Sequence, residues 1–419
     1  MNILILGQGG REHALARSVS KSKLLNKLYV AKGNPGIASI ATIVDINPLD
    51  NEAIMKFSID HKINLIIPGS EVYLENGIAD QFKDSKTLVF GPTKKAAQIE
   101  TSKAFAKTIM NKYDIPTAEY EIFDNYKDAL NYLDTVSIPI VIKYDGLAAG
   151  KGVVVATSKS EAVAALKLML FDRVYGNEKV IIEEFLEGEE FSLMTFVHND
   201  LVIPMPIAQD HKRLLDNDLG PNTGGMGVYS PVPIISEENV NYAINNVMKK
   251  AASALVEENC NFTGFLYGGL IQTKEGPKVI EFNARFGDPE AEVILPKLKS
   301  DILEIITQLL ESNIKNIVWD EDYYLGVVLA SKGYPKKYNI DHKIQGVYKT
   351  SNQVFHMGTK TLGNELLTNG GRVLLIIGSG NTLKKAKENA YKNIERIKCD
   401  NLIYRKDIGS KSLKGWNNG

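Results

Sequence analysis

The chain has 419 residues, of which 44% are hydrophobic and 24% are charged, as is ordinary for a globular protein. The length predicts roughly two or three domains, and the formal charge of -1 excludes an electrostatic reason to bind nucleic acid while leaving a small anionic ligand open. No stretch approaches the roughly 20 apolar residues of a membrane span, and the apolar run at 3–6 is too short for a signal peptide. These features predict a cytoplasmic protein with no nucleic-acid or membrane partner.

The cysteines and histidines argue against a structural metal site or a disulfide framework. Cys260 and Cys399 lie far apart and outside any CxxC pattern, so inert, buried thiols are expected. The six histidines show neither HxH nor HExxH spacing.

The first hundred residues alternate short apolar strands with helical stretches, which predicts a parallel sheet of the βαβ type. The expected strands are 3–6, 27–30, 65–68 and 87–90, and the expected helices are 11–25, 51–62 and 75–83. Gly91-Pro92-Thr93 breaks this pattern before a long amphipathic helix over 94–113. We place a domain boundary near residues 91–101.

The turn after the first strand has the sequence GQGGREHAL, from Gly7 to Leu15. A glycine-rich turn that opens a helix suits a phosphate, and Arg11 could grip two of its oxygens. Glu12 stands where the dinucleotide fingerprint GxGxxG needs its third glycine, which disfavours NAD. An ordinary strand-helix turn without a ligand remains open.

Residues 138–156, IPIVIKYDGLAAGKGVVVA, place two β-branched runs around a glycine-rich turn that carries Lys143 and Lys151. This pattern predicts a strand-loop-strand hairpin that closes over phosphate as a lid. A Walker P-loop needs GxxxxGK[ST] running into a helix, but here Gly152 replaces the Ser or Thr and a strand follows. A flexible hairpin without a ligand is the alternative.

The strand predicted at 179–185 leads into a cluster of carboxylates. An edge backbone there could pair with adenine while a carboxylate at the strand's end takes the ribose hydroxyls. A solvated acidic turn is the alternative interpretation.

The segment VIEFNARFGDPE, residues 279–290, places hard oxygen ligands and an arginine at one strand end. On a strand, Glu281, Asn283 and Arg285 point to the same face. A carboxylate with an amide oxygen suits magnesium, which completes its shell with water and nucleotide phosphates. A surface salt-bridge cluster is the alternative.

The remaining elements complete an α+β middle part and a C-terminal part richer in strands. A turn-rich segment at 209–233 contains QDHKR and GPNTGGMGVYSP, and long loops of that composition are either mobile surface or binding loops. The other expected elements are a helix at 237–258, strands at 265–273, 278–283, 325–330, 345–349 and 373–377, and one C-terminal helix at 383–397.

In this order and spacing, the segments resemble the ATP-grasp superfamily and, within it, the glycinamide ribonucleotide synthetase (phosphoribosylamine-glycine ligase) family. GxGGREHAL, VIKYDGLAAGKGV, IEEFLEGEE, QDHKR, GPNTGGMGVYSP, EFNARFGDPE, HMGTK and TNGGRVL carry the resemblance along nearly the whole chain. It implies a multidomain α/β and α+β fold: a Rossmann-like parallel sheet at 1–100 that binds phosphoribosyl, an ATP-grasp domain at 101–322 with a lid subdomain at about 117–190, and a small α+β domain at 323–419.

The resemblance also implies roles for individual residues. ATP would be bound by Lys103, Lys143, Gly150, Lys151, Gly152, Glu183, Glu184, Phe185, Leu186 and Glu190. The other substrates would be bound by Gly9, Gly10, Arg11, Asn34, Asp210, Lys212, Asn222, Thr223, Gly224, Arg285, Gly287 and Asp288. Arg285, Lys143 and Asp210 would be catalytic, and Glu281 and Asn283 would bind Mg²⁺ or Mn²⁺. The stretch 266–270 is uncharged where many superfamily members carry a further metal-binding carboxylate, which leaves the number of metal ions open.

The implied reaction is ATP-dependent condensation of glycine with 5-phosphoribosylamine, through glycyl phosphate, in purine synthesis. The expected partners are these small molecules, and a monomer is expected. Three alternatives remain: another ATP-grasp ligase or carboxylase, a non-catalytic nucleotide-binding module, and a nicotinamide-dependent oxidoreductase. The set of Lys143, Glu281, Asn283 and Arg285 argues against the module, and Glu12 argues against the oxidoreductase.

Overall fold

The computed structural model describes residues 1–146, 152–348 and 353–415. The middle of the predicted lid loop, including Gly150 and Lys151, lies outside the described residues, as does Lys349 at the end of a predicted strand. No helix in the described ranges combines the length and apolar character needed to cross a bilayer. Cys260 and Cys399 are both free, and only Cys260 is fully buried.

The N-terminal part is a five-stranded, all-parallel sheet in the order β3-β2-β1-β4-β5, as the alternating pattern predicted. Its strands are β1 (Asn2–Gly7), β2 (Lys27–Lys32), β3 (Thr42–Val44), β4 (Leu65–Pro68) and β5 (Leu88–Val89), and its helices are α1 (Gly10–Val19), α2 (Pro35–Ala38), α3 (Asn51–Asp60), α4 (Glu71–Glu75) and α5 (Ile78–Gln81). The single helix expected at 75–83 is wrong, because Gly77, at φ +75°, separates α4 from α5.

The long helix expected at 94–113 is instead two helices, α6 (Lys94–Thr101) and α7 (Lys103–Lys112). Ser102 breaks the helix with extended backbone, and its hydroxyl caps α7 by accepting the Phe105 N-H. The hydroxyl also donates to Asp145, and Asp145 accepts the Ala104 N-H at 3.1 Å. This break places Lys103 at the start of α7, against the lid hairpin.

The lid region forms a separate four-stranded sheet in the order β6-β9-β7-β8 with its own hydrophobic core. Its elements are β6 (Tyr120–Phe123), α8 (Tyr126–Leu133), β7 (Ile140–Tyr144), β8 (Val153–Ala156), α9 (Lys159–Leu166), which continues as a π-helical turn, and β9 (Val180–Glu184). The predicted hairpin is confirmed, since β7 and β8 pair antiparallel. The chain therefore continues from the glycine-rich loop into a strand and not into the helix of a Walker P-loop.

The next segment supplies the strands that carry the candidate site. Its elements are β10 (Glu189–His198), β11 (Leu201–Pro204), β12 (Gln209–Asp210), β13 (Arg213–Leu215), β14 (Leu219–Asn222), β15 (Gly227–Ser230), α10 (Glu237–Ala243), α11 (Lys249–Glu257), β16 (Thr263–Thr273), β17 (Gly276–Asn283), α12 (Ala291–Lys297) and α13 (Ile302–Leu310). Strands β11-β10-β16-β17 form an antiparallel sheet. The helix expected at 237–258 is present with a π-helical middle, whereas α12 and α13 were not predicted.

The C-terminal elements are β18 (Tyr323–Ser331), β19 (Lys343–Ile344), β20 (Val354–His356), β21 (Thr359–Leu362), β22 (Glu365–Thr368), β23 (Arg372–Gly380), α14 (Leu383–Ile394), β24 (Leu402–Ile403) and α15 (Ser410–Gly415). The main sheet has the order β12-β15-β18-β23-β20, so two strands of the segment expected to be only turn-rich cross into it. The short α15 corrects the expectation of a single C-terminal helix. The strand expected at 345–349 is wrong over its described part, because β19 ends at Ile344 and Gln345 forms only an isolated bridge, to Lys398.

Candidate active site

Glu281 on β17 lies in the field of several cations that reach it from different elements. Burial alone would raise the pKa of Glu281, but the charges of Lys212, Lys143, Lys103 and Arg285 lower it below its ordinary value. Lys103 comes from α7, Lys143 from β7, and Lys212 from the turn after β12. The structure thus brings together the predicted phosphate lysines and the predicted metal carboxylate.

Arg285 is held by two carboxylates that sequence reasoning missed. Its Nη2 is 3.1 Å from Glu100 Oε1 and donates to Asn283 Oδ1 at 3.1 Å, and its Nε donates to Glu71 Oε2 at 3.2 Å. Glu71 begins α4 and Glu100 lies in the last turn of α6, so Arg285 connects the end of β17 to the N-terminal part. No local pattern pairs residues about 200 positions apart.

Lys143 belongs to a buried ion-pair network. Its Nζ donates to the Ile280 carbonyl at 3.0 Å and lies 2.9 Å from Glu183 Oε2, while Lys107 Nζ lies 3.4 Å from the same oxygen. Burial lowers the pKa of Lys107 to about 8, although the negative charge of Glu183 acts to raise it. Lys107 was not predicted, although it lies one helical turn after Lys103 and so on the same face of α7.

The strand β9 is not the edge strand that the adenine prediction assumed. It pairs with β6 on one side and with β7 on the other, so its backbone is used within the sheet. Glu184 is the last residue of β9, and its Oε1 lies 3.6 Å from Lys278 Nζ. Phe185 and Leu186 follow beyond the strand, and the ring of Phe185 is exposed.

The lid loop contacts α7 at its first described turn. Lys103 Nζ donates to the Gly146 carbonyl at 3.2 Å, and the Gly152 carbonyl accepts the Tyr144 N-H at 2.7 Å. Lys103 therefore lies beside the base of the hairpin, where the sequence predicted phosphate contacts.

A small pocket lies between β10, β12 and β16. Its lining includes Glu190, Ser192, Asp210, Lys212, Tyr267 and Gly269. Lys212 Nζ forms an ion pair with Glu190 Oε2 at 2.7 Å. Residues assigned from sequence to ATP (Glu190) and to the other substrates (Asp210, Lys212) thus share one pocket.

Asp210 lies within the field of a second carboxyl group, that of Glu290. Burial, followed by the charge of Glu290, raises the pKa of Asp210 well above its ordinary value. Glu290 Oε1 accepts from Ser192 Oγ at 2.8 Å and from the Tyr267 hydroxyl at 3.1 Å. A Cβ on Gly287 would stand 2.5 Å from Glu290 Oε2, which explains the need for glycine there.

The predicted phosphoribosyl turn already uses several of its hydrogen-bond donors. Gly9 N-H donates to Glu12 Oε2 at 2.5 Å, and Arg11 Nε donates to Glu12 Oε1 at 2.9 Å. Arg11 Nη1 donates to the Phe286 carbonyl at 3.0 Å. Glu12, the residue that disfavoured the dinucleotide fingerprint, therefore accepts hydrogen bonds from the turn's own donors.

Asn34 is fully engaged in joining two parts of the chain. Its Oδ1 caps α2 by accepting the Ile37 N-H at 3.0 Å, and its Nδ2 donates to the Gln8 carbonyl at 2.8 Å and to the His356 carbonyl at 2.9 Å. These bonds favour a positioning role for Asn34 over the direct substrate contact predicted from sequence.

Arg372 at the start of β23 reaches the site from the C-terminal part. Its Nη2 lies 3.0 Å from Asp288 Oδ1, and its Nη1 donates to the Gly224 carbonyl. Arg372 was not predicted as a site residue, although its TNGGRVL block had been singled out. Thr223 is half-buried beside this contact, whereas Asn222 is exposed at the end of β14.

Family models cover almost the entire chain. The N domain of phosphoribosylglycinamide synthetase matches residues 1–100, its ATP-grasp (A) domain matches 101–291, and its C domain matches 324–411. The chain belongs to the phosphoribosylglycinamide synthetase family. This membership confirms the resemblance and the multidomain fold, and it makes the chain an ATP-dependent ligase.

Relatives and solved structures agree with this family. The phosphoribosylamine-glycine ligase of Halalkalibacterium halodurans is 50% identical over 99% of this chain and 97% of its own length, and that of Lactococcus lactis is 46% identical over 99% and 100%. The crystal structure of the Thermotoga maritima phosphoribosylamine-glycine ligase has a TM-score of 0.85 at 31% identity and covers 98% of this chain and 100% of its own. A biotin carboxylase domain from Hydrogenobacter thermophilus, with a TM-score of 0.73 at 16% identity over 96% of this chain and 91% of its own, shares the fold.

Proposed function

We propose that this protein joins glycine to 5-phosphoribosylamine, with cleavage of ATP to ADP and phosphate, as a step of purine biosynthesis. The observation that carries the proposal is the cluster at the end of β17, where Glu281 is surrounded by Lys103, Lys143 and Lys212. Three ammonium groups whose charges act on one carboxylate suit a triphosphate with a divalent cation, because the positive and negative groups neutralise each other.

In this proposal ATP lies between the lid and β17. Lys103 and Lys143 face its phosphates, the loop from Gly146 to Gly152 closes over them, and Phe185 and Leu186 border adenine. Glu190 binds the ribose hydroxyls after its ion pair with Lys212 breaks. Lysines fixed by buried contacts need little reorganisation when the phosphoryl group moves, which is how preorganised charge accelerates transfer.

Glu281 and Asn283 would hold Mg²⁺ or Mn²⁺, and their donor set fits such an ion. Both are hard oxygen ligands on one strand, and Arg285 orients the Asn283 amide. Within the described ranges, no three His, Cys, Asp or Glu side chains are grouped to bind a metal by themselves. The ion would therefore depend on nucleotide phosphates for further ligands, and when bound it would neutralise their charge.

Glycine would lie between Arg285 and the Asp210 pocket. One oxygen of its carboxylate attacks the γ-phosphorus of ATP, the bond to the bridging oxygen breaks, and ADP leaves. The nitrogen of phosphoribosylamine then attacks the carbonyl carbon of glycyl phosphate; inorganic phosphate departs and the nitrogen loses a proton. The lid excludes water, which would otherwise hydrolyse the acyl phosphate.

The phosphoribosyl group would lie against the Gly9-Gly10-Arg11 turn, with Asp288 and Gly224 bordering the path to the glycyl carbonyl.

The expectation of a monomer belongs to this proposal, because all of these groups come from one chain. Sedimentation with and without substrates tests the oligomeric state. The cytoplasmic location stays a prediction.

An oxygen-18 experiment tests the reaction. Glycine labelled in its carboxylate is turned over with phosphoribosylamine and ATP, and the phosphate is analysed by mass spectrometry. One labelled oxygen should leave in phosphate while the other stays in the amide. Unlabelled phosphate beside normal product would overturn the acyl phosphate, and label in AMP with release of pyrophosphate would indicate an acyl adenylate instead.

A further inference from the structure

The carboxyl group of Glu292, in the first turn of α12, is unlike the others at the site. The residue is 0% exposed, and both of its oxygens lack a hydrogen-bond partner among the described residues. A buried polar group without a partner destabilises the folded state, so two such oxygens in one side chain call for a functional explanation.

The Glu292 carboxyl is directed at the turn that opens α1. A Cβ placed on Gly10 would stand 2.2 Å from Glu292 Oε1, and one placed on Gly9 would stand 3.6 Å from Asp288 Oδ2. The absence of a side chain at Gly10 thus makes room for the Glu292 carboxyl itself, and Gly9 lies next to Asp288. Asp288, Arg372 and Arg11 are the charged groups that act on Glu292.

The donors around this turn are largely used within the protein. Gly9 N-H and Arg11 Nε donate to Glu12, Arg11 Nη1 donates to Phe286, and Arg372 is engaged by Asp288 and Gly224. The group that lies closest to a ligand at Glu292 is therefore the carboxyl group itself. A phosphate there would meet carboxyl oxygens, whereas hydroxyl groups can both donate and accept.

Building on the proposed function, we propose that Glu292 binds the ribose of phosphoribosylamine through its vicinal 2′- and 3′-hydroxyls. Two neighbouring hydroxyls match the two oxygens of one carboxyl group in number and spacing. This places the sugar against Gly9 and Gly10, with α12 providing the contact that the glycine-rich turn does not.

The direction of the pKa shift of Glu292 agrees with hydroxyl ligands. Burial, followed by the charge of Asp288, raises the pKa of Glu292 well above its ordinary value, while Arg372 and Arg11 oppose the shift. A protonated carboxyl accepts through one oxygen and donates through the other, and a pair of hydroxyls can satisfy both. Glutamine has the same donor and acceptor pattern and nearly the same shape.

The test uses the full-length protein, with glycinamide ribonucleotide and its 2′-deoxy counterpart as calorimetric probes. Glu292→Ala should weaken binding of the ribonucleotide about 10- to 100-fold, the loss expected for two buried hydrogen bonds. The loss should be clearly smaller for the deoxy probe, and Glu292→Gln should bind nearly like the unmodified protein. The KM values for ATP and glycine should not change.

Thermal unfolding separates this role from a structural one. Without ligand, Glu292→Gln should melt at or above the temperature of the unmodified protein, because the carboxyl has no hydrogen-bond partner to lose among the described residues. Val293→Ala on the same helix, whose side chain packs near Gly326, is the matched control: it should lower the melting temperature and leave ribonucleotide affinity unchanged.

Three outcomes would overturn the inference. They are equal affinity of Glu292→Ala and unmodified protein, an equal penalty on both probes, and loss of affinity in Glu292→Gln as large as in Glu292→Ala. In each case the proposed function still stands if the unmodified protein binds glycinamide ribonucleotide. An unmodified protein that binds neither probe would overturn the proposed function and this inference with it.

Discussion

Two carboxylate-bearing regions lie close together in this protein and differ in charge balance. At the end of β17, cations surround Glu281 and lower its pKa. Around the start of α12, Asp210 faces Glu290 and Glu292 faces Asp288, and burial with these neighbouring carboxylates raises the pKa of Asp210 and Glu292. The surroundings thus favour the ionised form of the carboxyl in one region, as a metal and phosphates would require, and shift the carboxyl groups toward the neutral form in the other, as hydrogen bonding to a sugar or an amine would allow.

The largest effect is expected from Glu281→Gln, which removes the ionised carboxylate of the cationic region. Turnover should fall on the order of 100-fold or more, because the metal loses its only proposed carboxylate ligand. Steady-state kinetics and a thermal transition measure activity and folding separately. Glu275→Gln, an exposed residue at the turn before β17, is the control and should remain active; full activity of Glu281→Gln with native melting would rule out the metal assignment.

Arg11→Ala tests the cation of the carboxylate-rich region. The apparent KM for phosphoribosylamine should rise far more than those for ATP and glycine, since a charge-assisted hydrogen bond contributes about 1.5 to 3 kcal/mol to binding. Initial rates with each substrate varied in turn provide the comparison. A rise in the KM for ATP alone would place the phosphoribosyl site elsewhere.

Glu100 combines features of both regions and has a pH signature. Although Arg285 lies 3.1 Å away, burial raises the pKa of Glu100 to about 7, with Glu71 adding to the shift. A raised carboxyl pKa stabilises the fold fully below the unfolded-state value, near 4.5, and this contribution is lost as pH rises to about 7.

Glu100→Gln cannot titrate, so its free energy of unfolding relative to the unmodified protein should increase between pH 4.5 and 7, by on the order of 1 to 3 kcal/mol. Urea unfolding across that range measures the difference. A difference that stays constant over this range would show that folded Glu100 is already ionised at pH 4.5, like the carboxylate expected at Glu281.

The smallest effect is expected from Ser102→Ala, which tests how Lys103 is placed in the cationic region. Loss of the cap should lower stability by about 1 kcal/mol, and the KM for ATP should rise because Lys103 starts the uncapped helix. Thr93→Ala, which removes the equivalent cap of α6, should have a similar cost in stability with an unchanged KM. If the KM for ATP is the same in Ser102→Ala and Thr93→Ala, the placement of Lys103 does not contribute to ATP binding.

Much of the fold could be predicted because its signals are local. The β7-β8 hairpin and the parallel N-terminal sheet follow from β-branched runs, glycines and alternating periods. The break at Ser102 was missed because the apolar pattern continues through it, while the Asp145 contact that stabilises it involves a residue 43 positions away. The crossing of β12 and β15 into the C-terminal sheet likewise depends on pairing with β18, about 100 residues later.

By itself, the sequence determined which residues the chemistry is assigned to: the glycine-rich hairpin, the EFN strand, and the lysines and carboxylates of the family's blocks. Only the tertiary structure decided what state those groups are in and which partners hold them. Arg285 forms ion pairs with Glu71 and Glu100, and Arg372 reaches Asp288 from the C-terminal part. Glu292 lies beside Gly10 and has no hydrogen-bond partner in the part of the chain that the structure describes. The reason is that periodicity acts over a few neighbouring residues, whereas desolvation and Coulomb interactions depend on distances that exist only once remote segments pack together.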